Sequence, residues 1–399
     1  SPNAESNFAR VLFRSSDGTF WCGTNRGLFA RTAASSWQEV RELKGKVVHS
    51  IAEDSQSRLL VGTAIGLFVA AKHAEQRSRS AGGREFSRID APTGTNDNIR
   101  AITEFRGAVY VANFGSGIEL LDGLKRTLIW PTTEADAGQR QVISLHADAE
   151  RLWIGTAAAG VFLFDGKQAT TDQALAELIG AAVRSIQKTN DDVIWLASER
   201  GLYALRSGRL RQLIEGVDAR QIVAATTSAS GQFVWCATAG GGLYRVLLDD
   251  SGAVNPGSQF LTSRIDSEQG LPSENAFAVV QVQSDSGDHA VWIGTNRGIA
   301  RYQPGHEAPF LTLARAMGKR AYTTQEVLTG LNLEYPQNSL ALDVAAISSR
   351  TFPEQVQYSF SVLNSDGCLV REKLSRDSQL LLEGLRPGSY RVVVRAFNN

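Results

Sequence analysis

The stretch that decides the fold is WIGTNRGIA, residues 292–300. An aromatic residue, an aliphatic residue and Gly-Thr are followed by a short polar segment, a glycine and an apolar pair. Variants of this phrase occur at six earlier places, at residues 21–29, 60–68, 110–118, 153–162, 195–203 and 235–244, and successive copies begin 39 to 57 residues apart. A repeat of this length indicates one supersecondary unit present seven times.

Each unit contains the signals of four antiparallel strands. A short alternating segment, such as residues 48–51 or 99–102, precedes the phrase and is separated from it by turn-forming residues. The glycine within the phrase is expected to adopt a positive φ and to start a third strand, and a fourth follows, as at residues 37–40. The sequence therefore predicts an all-β fold with a seven-bladed β-propeller over residues 1–305, in which ring closure leaves no sheet edge unpaired.

Two details of the repeat need their own interpretation. The aromatic residue on the second strand of most units is predicted to pack between blades rather than to stack on a sugar, because aromatic side chains bury large areas there. The two longest intervals contain insertions, residues 70–86 and 248–269. Both lack strand-like alternation, which predicts surface loops.

The last part of the chain has a different pattern. Over residues 306–399 short alternating segments are separated by Asn-Ser, Ser-Asp-Gly and Arg-Pro-Gly turns, which predicts an immunoglobulin-like β-sandwich. The final residues, 394–399, have the pattern of a strand and its following turn. We therefore expect the chain to be the soluble portion of a longer protein.

Composition and motifs exclude several function classes. The 41 basic and 41 acidic residues balance, which argues against a nucleic acid or an anionic membrane as partner. Cys22, Cys236 and Cys368 give no disulfide framework, and the first two are predicted to be structural thiols. The histidines lack metal-ligand spacing, and neither a nucleophile elbow nor a phosphate loop occurs. The sequence thus predicts no enzyme, no cofactor and no metal site.

One pattern suggests a ligand site. Aligning the innermost strands places basic residues at the equivalent position of four blades, namely Arg10, His49, Arg100 and Arg184. Innermost strands line the central channel of a propeller, so these groups would meet at one mouth and could attract a carboxylate or a sulfate. The alternative is a structural role, with each arginine held by carbonyls or acidic turn residues. Secondary candidates are the turn arginines Arg26, Arg200 and Arg297.

The repeats resemble a known family. Residues 292–302 and 153–164 resemble the two-component-regulator propeller repeat, and LPSEN at 271–275 resembles its linker. Residues 335–343, 356–360 and 385–396 resemble the tyrosine-rich (Y_Y_Y) domain that follows such propellers. The resemblance implies the periplasmic sensor region of a hybrid two-component or related inner-membrane receptor.

Further expectations follow from this resemblance. The propeller would recognise a small-molecule or oligosaccharide ligand. The sandwich would form a homodimer and relay the signal, through a membrane segment outside this chain, to a cytoplasmic kinase or cyclase.

Two other function classes stay open at this point. A protein–protein interaction scaffold would show an exposed apolar or aromatic patch rather than a polar pocket. A carbohydrate-cleaving propeller enzyme would need clustered carboxylates or metal ligands at the channel.

Overall fold

The computed structural model describes residues 7–32, 36–70, 84–131, 137–189, 193–224, 232–248, 261–283, 289–303, 309–334, 338–347 and 356–397. The chain divides into two compact units. The first consists of Ser1–Thr226, Phe233–Val246 and Arg264–Pro304, and the second of Thr227–Gln232, Leu247–Ser263 and Gly305–Asn399.

Among the described residues up to Tyr302, strands adjacent in sequence pair in seven antiparallel sheets, which we number 1 to 7 in chain order. Sheet 1 contains β1–β4 (Ala9–Arg14, Phe20–Thr24, Leu28–Arg31, Gln38–Glu39), and sheet 2 contains β5–β8 (Val48–Glu53, Leu59–Thr63, Gly66–Ala70, Ser87–Ile89). Sheet 3 contains β9–β12 (Ile99–Phe105, Ala108–Asn113, Gly117–Asp122, Lys125–Trp130), and sheet 4 contains β13–β16 (Val142–Ala147, Leu152–Thr156, Val161–Phe164, Ala169–Thr170).

The remaining sheets of this group follow the same order. Sheet 5 contains β17–β20 (Val183–Lys188, Ile194–Ser198, Gly201–Arg206, Arg209–Glu215), and sheet 6 contains β21–β24 (Asp218–Ala224, Gln232–Ala239, Gly242–Leu248, Leu261–Ile265). Sheet 7 contains β25–β27 (Ala276–Gln283, His289–Thr295, Gly298–Tyr302). Helical segments are short: α1 (Ala137–Arg140) and the 3₁₀ turns Arg41–Leu43 and Gln173–Leu178.

The first strands of the sheets form a ring. Each of β1, β5, β9, β13, β17 and β21 contacts the first strand of the next sheet, and β25 contacts β1. The all-β prediction is confirmed, and the arrangement of four-stranded antiparallel sheets is consistent with a β-propeller.

The repeated Gly-Thr has a physical cause in this arrangement. A Cβ atom on Gly62 would lie 2.7 Å from Cγ2 of Ile99 in the next sheet, and one on Gly155 would lie 2.5 Å from the carbonyl oxygen of Val183. The glycine thus permits close approach of neighbouring sheets. The threonine closes the following turn, since Thr63 Oγ1 donates to the carbonyl of Gly66 at 2.8 Å. Gly66 has a φ of +143°, the positive value that the sequence predicts.

The packing role of the shared aromatic residues is confirmed. The buried members of the set are Trp21, Tyr110, Trp153, Trp195 and Trp235. Trp292 is half-buried, with the guanidinium groups of Arg31 and Arg301 at 5.8 and 5.9 Å from its ring. The structural role of two cysteines is confirmed as well, because Cys22 and Cys236 are buried free thiols, and burial raises the pKa of each to about 12.

The prediction of two surface loops is wrong at their C-terminal ends. Arg84 is only 1% exposed, because its guanidinium forms ion pairs with Asp17 and Glu53, each at 3.1 Å. Phe86 packs edge-on against Trp21, with ring centroids 5.9 Å apart. Residues 261–265 form β24, whose polar Thr-Ser-Arg centre hides its strand character in the sequence. The segments 71–83 and 249–260 lie outside the described residues.

The second unit contains two further sheets. Its elements are β28 (Phe310–Met317), β29 (Ala321–Tyr322), α2 (Thr324–Thr329), β30 (Leu340–Ile347), β31 (Gln357–Asn364), β32 (Leu369–Ser375), β33 (Gln379–Leu382) and β34 (Tyr390–Phe397). The sheet orders are β29-β28-β30-β33 and β32-β31-β34. Leu342 and Val344 of one sheet share a buried cluster with Phe360 and Val362 of the other. The immunoglobulin-like assignment stays a prediction.

Among the described residues, no helix combines the length and the apolar character that crossing a membrane requires.

Candidate functional site

The ring of first strands surrounds a cavity of about 530 Å³. Side chains or backbone from all seven first strands line it. Arg10, His49, Arg100 and Arg184, the four residues that the sequence alignment selects, are all among the lining residues. The volume lies in the range of pockets that hold small molecules.

A β-bulge in each of sheets 1–7 directs one residue into this cavity. In each of the seven sheets the pairing of the first strand with the second skips one residue near the start of the first strand. The skipped residues, which we call the bulge ring, are Arg10, His49, Arg100, Ile143, Arg184, Arg220 and Phe277, and all of them line the cavity. A bulge leaves its extra residue unpaired and re-aims its side chain, so the same backbone device presents four arginines and a histidine together.

Arg100 is the least compensated of these charges. The structure gives its side chain no hydrogen bond or ion pair with any described residue, and its Nε is buried without an acceptor. Its guanidinium carbon lies 5.1 Å from the ring centroid of Phe114, a cation–π contact. Burial lowers the pKa of Arg100, because desolvation disfavours its charged form.

Arg10 and Arg100 flank His49 in the ring, because β5 lies between β1 and β9. Arg10 Nε donates to Oδ1 of Asn25, a neutral acceptor, and its guanidinium carbon lies 4.9 Å from the ring centroid of Phe8. Burial, followed by the charges of Arg100 and Arg220, lowers the pKa of Arg10. Burial and the same kind of repulsion, from Arg100 and then Arg10, lower the pKa of His49 from 6.5 to about 3. The His49 imidazole is therefore neutral at neutral pH.

Arg184 and Arg220 are compensated by carboxylates. Arg184 Nε lies 2.9 Å from Oδ1 of Asp218, and its Nη2 lies 3.7 Å from Oε2 of Glu199. Arg220 Nη2 donates to the second oxygen of Asp218. Its guanidinium also lies 5.5 Å from the ring centroid of Phe277. Burial and the charge of Arg184 lower the pKa of Arg220, whereas Asp218 opposes that shift. One carboxylate thus bridges two arginines from neighbouring sheets.

Acidic and imidazole groups further along the same strands already have partners. Glu53 accepts from the backbone NH of Ser16 at 2.6 Å and pairs with Arg84. Glu104 accepts from the backbone NH of Ser55 at 2.7 Å. His146 Nε2 accepts from the backbone NH of Lys188 at 3.1 Å. Glu53 follows His49 by four positions on β5, a distance of about 13 Å at the usual rise, so the cavity has a basic end and an acidic end.

The three secondary candidates lie elsewhere. Arg26, Arg200 and Arg297 are exposed, in turns between the second and third strands of their sheets, and none lines the cavity. Arg200 Nη1 donates to the carbonyl of Glu177 at 2.9 Å, which is a structural contact. Within the described ranges, no group of three or more His, Cys, Asp or Glu side chains is placed to hold a metal ion.

Sequence reasoning missed Arg220, Asp218 and Glu199. A signal for Arg220 exists, because ARQI at 219–222 has the spacing of VRSI at 183–186, where Arg184 is the second residue. Asp218 precedes Arg220 by two positions, and no described bulge residue outside sheet 6 has an acidic residue at that offset. Glu199 lies in the Ser-Glu-Arg-Gly turn of sheet 5, and no sequence pattern distinguishes it from other turn residues.

Comparison with solved structures gives likenesses of fold. The extracellular domain of a protein described as a hybrid two-component system from B. thetaiotaomicron matches with a TM-score of 0.58 and 16% identity, over 100% of this chain and 55% of that one. The extracellular domain of a second B. thetaiotaomicron protein, described as a one-component system, matches with a TM-score of 0.53 and 16% identity, over 98% and 55%. This chain therefore spans about half the length of each.

A third likeness covers only part of the chain. YCF48, solved bound to D1 peptide, matches with a TM-score of 0.51 and 14% identity, over 75% of this chain and 95% of that one. No protein-family model matches the chain, and no curated protein does.

Proposed function

We propose that this chain is the ligand-sensing region of a bacterial transmembrane receptor. In this proposal sheets 1–7 are the blades of a seven-bladed β-propeller that recognises a small molecule or an oligosaccharide. The second unit is an immunoglobulin-like, tyrosine-rich domain that passes the signal on. The fold likeness to two extracellular domains of bacterial signalling systems, over nearly the whole chain, supports this assignment.

The observation that carries the proposal is the cavity inside the ring. It is lined by all seven first strands and contains an arginine, Arg100, with neither a hydrogen bond nor an ion pair among the described residues. Half-buried polar groups without partners reduce stability, and groups with perturbed pKa values are concentrated at functional sites. A site for a polar ligand accounts for both features, and the role that we propose is recognition rather than catalysis.

The remaining parts of the proposal concern the whole receptor. The chain would lie in the periplasm and be anchored by a segment outside it. Pairing of two copies through the second unit would transmit the signal, because two-fold symmetric dimers are the commonest oligomers. The output would be a cytoplasmic kinase or cyclase.

A thermal-shift screen of the chain against small molecules and oligosaccharides tests the sensing role. Ligand at about 100 times its dissociation constant should add about 2.7 kcal/mol to the unfolding free energy. Hits should lose their effect in an Arg100→Gln variant if they bind in the cavity, and keep it in Arg297→Gln, which changes an exposed turn. If no member of a broad panel stabilises the chain, or if every hit is insensitive to changes in the bulge ring, this cavity is not the sensor site.

A protein-interaction scaffold is the second candidate. A pocket of about 390 Å³ beside β2 and β27 is lined by Phe29, Trp37 and Ile299, which are apolar. The likeness to YCF48, which was solved with a bound peptide, adds to this alternative. A screen of apolar peptides against the chain and a Trp37→Ala variant separates the two functions. Peptide binding that depends on Trp37 favours the scaffold.

A further inference from the structure

We propose that the ligand of the cavity carries an oxyanion, a carboxylate or a sulfate group, which is held between Arg10 and Arg100 beside His49. This inference rests on the proposed function, because it assumes that the cavity is the binding site. It adds the chemical class of the ligand and the part of the bulge ring that recognises it.

The first reason is the balance of charge around the ring. Four guanidinium groups line the cavity, and the carboxylates that pair with them are Asp218 and Glu199. Asp218 pairs with both Arg184 and Arg220, and Glu199 pairs with Arg184. In the described part of the chain no carboxylate lies within ion-pair distance of Arg10 or Arg100. A half-buried cation without a counter-charge is unfavourable, and a bound oxyanion would remove that cost.

The second reason is the position of the two guanidinium groups that have no ion pair. Arg10 and Arg100 occupy equivalent bulge positions in sheets 1 and 3, with His49 at the same position in sheet 2 between them. Their charges are close enough for each to lower the pKa of His49. Arginine presents several N–H donors in one plane, which suits the oxygens of a carboxylate or a sulfate.

The third reason is the state of His49. Burial and then the charges of Arg100 on β9 and Arg10 on β1, the two neighbouring strands, lower the pKa of His49 and keep the imidazole uncharged. A neutral imidazole has one N–H to donate. It therefore adds a hydrogen bond to an oxyanion without adding a third positive charge beside Arg10 and Arg100.

Isothermal titration calorimetry at fixed ionic strength tests the proposal with three probes: methyl glucuronide, the neutral methyl glucoside and sodium sulfate. The wild-type chain should bind the glucuronide or sulfate with saturation and the glucoside far more weakly. Arg100→Gln and Arg10→Gln should each weaken anion binding at least about tenfold, equivalent to about 1.4 kcal/mol. Arg297→Gln should leave anion binding unchanged. Arg100→Lys keeps the positive charge but loses the planar set of N–H donors of a guanidinium, so it should bind the anion more tightly than Arg100→Gln and less tightly than the wild-type chain.

Each outcome has a defined meaning. Binding of the glucuronide alone supports a carboxylate, binding of sulfate alone supports a sulfate group, and binding of both supports a general oxyanion site. Equal binding of glucoside and glucuronide, unchanged affinity in Arg100→Gln, or no anion binding by a folded wild-type chain overturns the inference. A neutral hit from the thermal-shift screen that depends on the bulge ring would still uphold the sensing role, so the two failures are distinguishable.

Discussion

The two sides of the bulge ring use the same backbone device and the same residue type, yet they differ in charge balance. In sheets 5 and 6, Arg184 and Arg220 share Asp218. In sheets 1 and 3, Arg10 and Arg100 contact aromatic rings and, for Arg10, an amide oxygen. One side is a closed ion-pair network, whereas the other presents positive charge that no described residue neutralises.

The identity of a residue in the bulge ring therefore does not determine its role. In sheet 6 the residue two positions before the bulge is Asp218, which supplies the counter-charge for Arg220 and for Arg184 of sheet 5. The same position holds Phe8 in sheet 1 and Asn98 in sheet 3, neither of which is charged. An arginine with such a partner stabilises contact between neighbouring sheets. An arginine without one is available for a ligand.

Removing the built-in counter-charge should have the largest effect. Asp218→Asn leaves Arg184 and Arg220 facing each other, and we expect the free energy of unfolding to fall by about 2–3 kcal/mol. Urea denaturation measures this change in the free energy of unfolding. Asp122→Asn, which changes an exposed carboxylate on sheet 3, is the matched control and should stay within about 0.5 kcal/mol of wild type. Equal losses in both variants would show that Asp218 does not neutralise the pair.

The pH dependence of stability should report the protonation state of His49, which lies between Arg10 and Arg100. His49 has a pKa of about 3 in the folded chain against 6.5 for a free histidine, so between these values the unfolded chain binds more protons. Stability should therefore fall as the pH is lowered from 6.5, by up to about 1.4 kcal/mol per pH unit from this residue. His49→Gln should reduce that slope between pH 6.5 and 5 and leave stability above pH 7 nearly unchanged. Identical slopes would mean that His49 is not held neutral.

A carboxylate introduced beside Arg100 should make sheet 3 resemble sheet 6, where Asp218 neutralises Arg220. Asn98 occupies in sheet 3 the position of Asp218 in sheet 6, and its Oδ1 is buried without a donor. Asn98→Asp should raise the unfolding free energy by about 1 kcal/mol and abolish oxyanion binding, since the new carboxylate would compete for Arg100. Calorimetry and urea denaturation on one sample measure both. Unchanged anion affinity would indicate that Arg100 is not the receptor group.

Removing the uncompensated charge itself should have the smallest effect on stability. Arg100→Gln deletes a cation that has no ion pair, so we expect the unfolding free energy to change by less than about 0.5 kcal/mol, and the change to be stabilising if repulsion from Arg10 dominates. A loss as large as that of Asp218→Asn would mean that Arg100 has a structural partner. The two variants therefore need to be compared under the same conditions.

The sequence predicted the part of this architecture that repeats. The Gly-Thr phrase depends on local turn chemistry and on close approach of neighbouring sheets, both of which recur in each copy. Arg10, His49, Arg100 and Arg184 were found because each stands two positions before the apolar residue on which the first strands align. Arg220 stands at the same offset before Ile222, so the sequence contained a signal for it that the alignment of four blades did not use.

What the sequence could not predict depends on neighbours in space. Arg184 and Asp218 are 34 residues apart, and only the ring places their strands side by side. Likewise, Arg84 belongs to a stretch that reads as a polar loop, and its burial follows from the meeting of Asp17 and Glu53 from two sheets. Charge compensation of this kind is a property of the assembled ring.

The most direct test of the uncompensated side is the position of a small anion in a crystal of this chain. Crystals soaked in sodium bromide allow bromide to be located by anomalous scattering. We predict a bromide ion within the cavity, in contact with Arg10 or Arg100, and none between Arg184 and Arg220, where Asp218 already lies. Bromide sites elsewhere on the surface with none beside Arg10 or Arg100 would contradict the account.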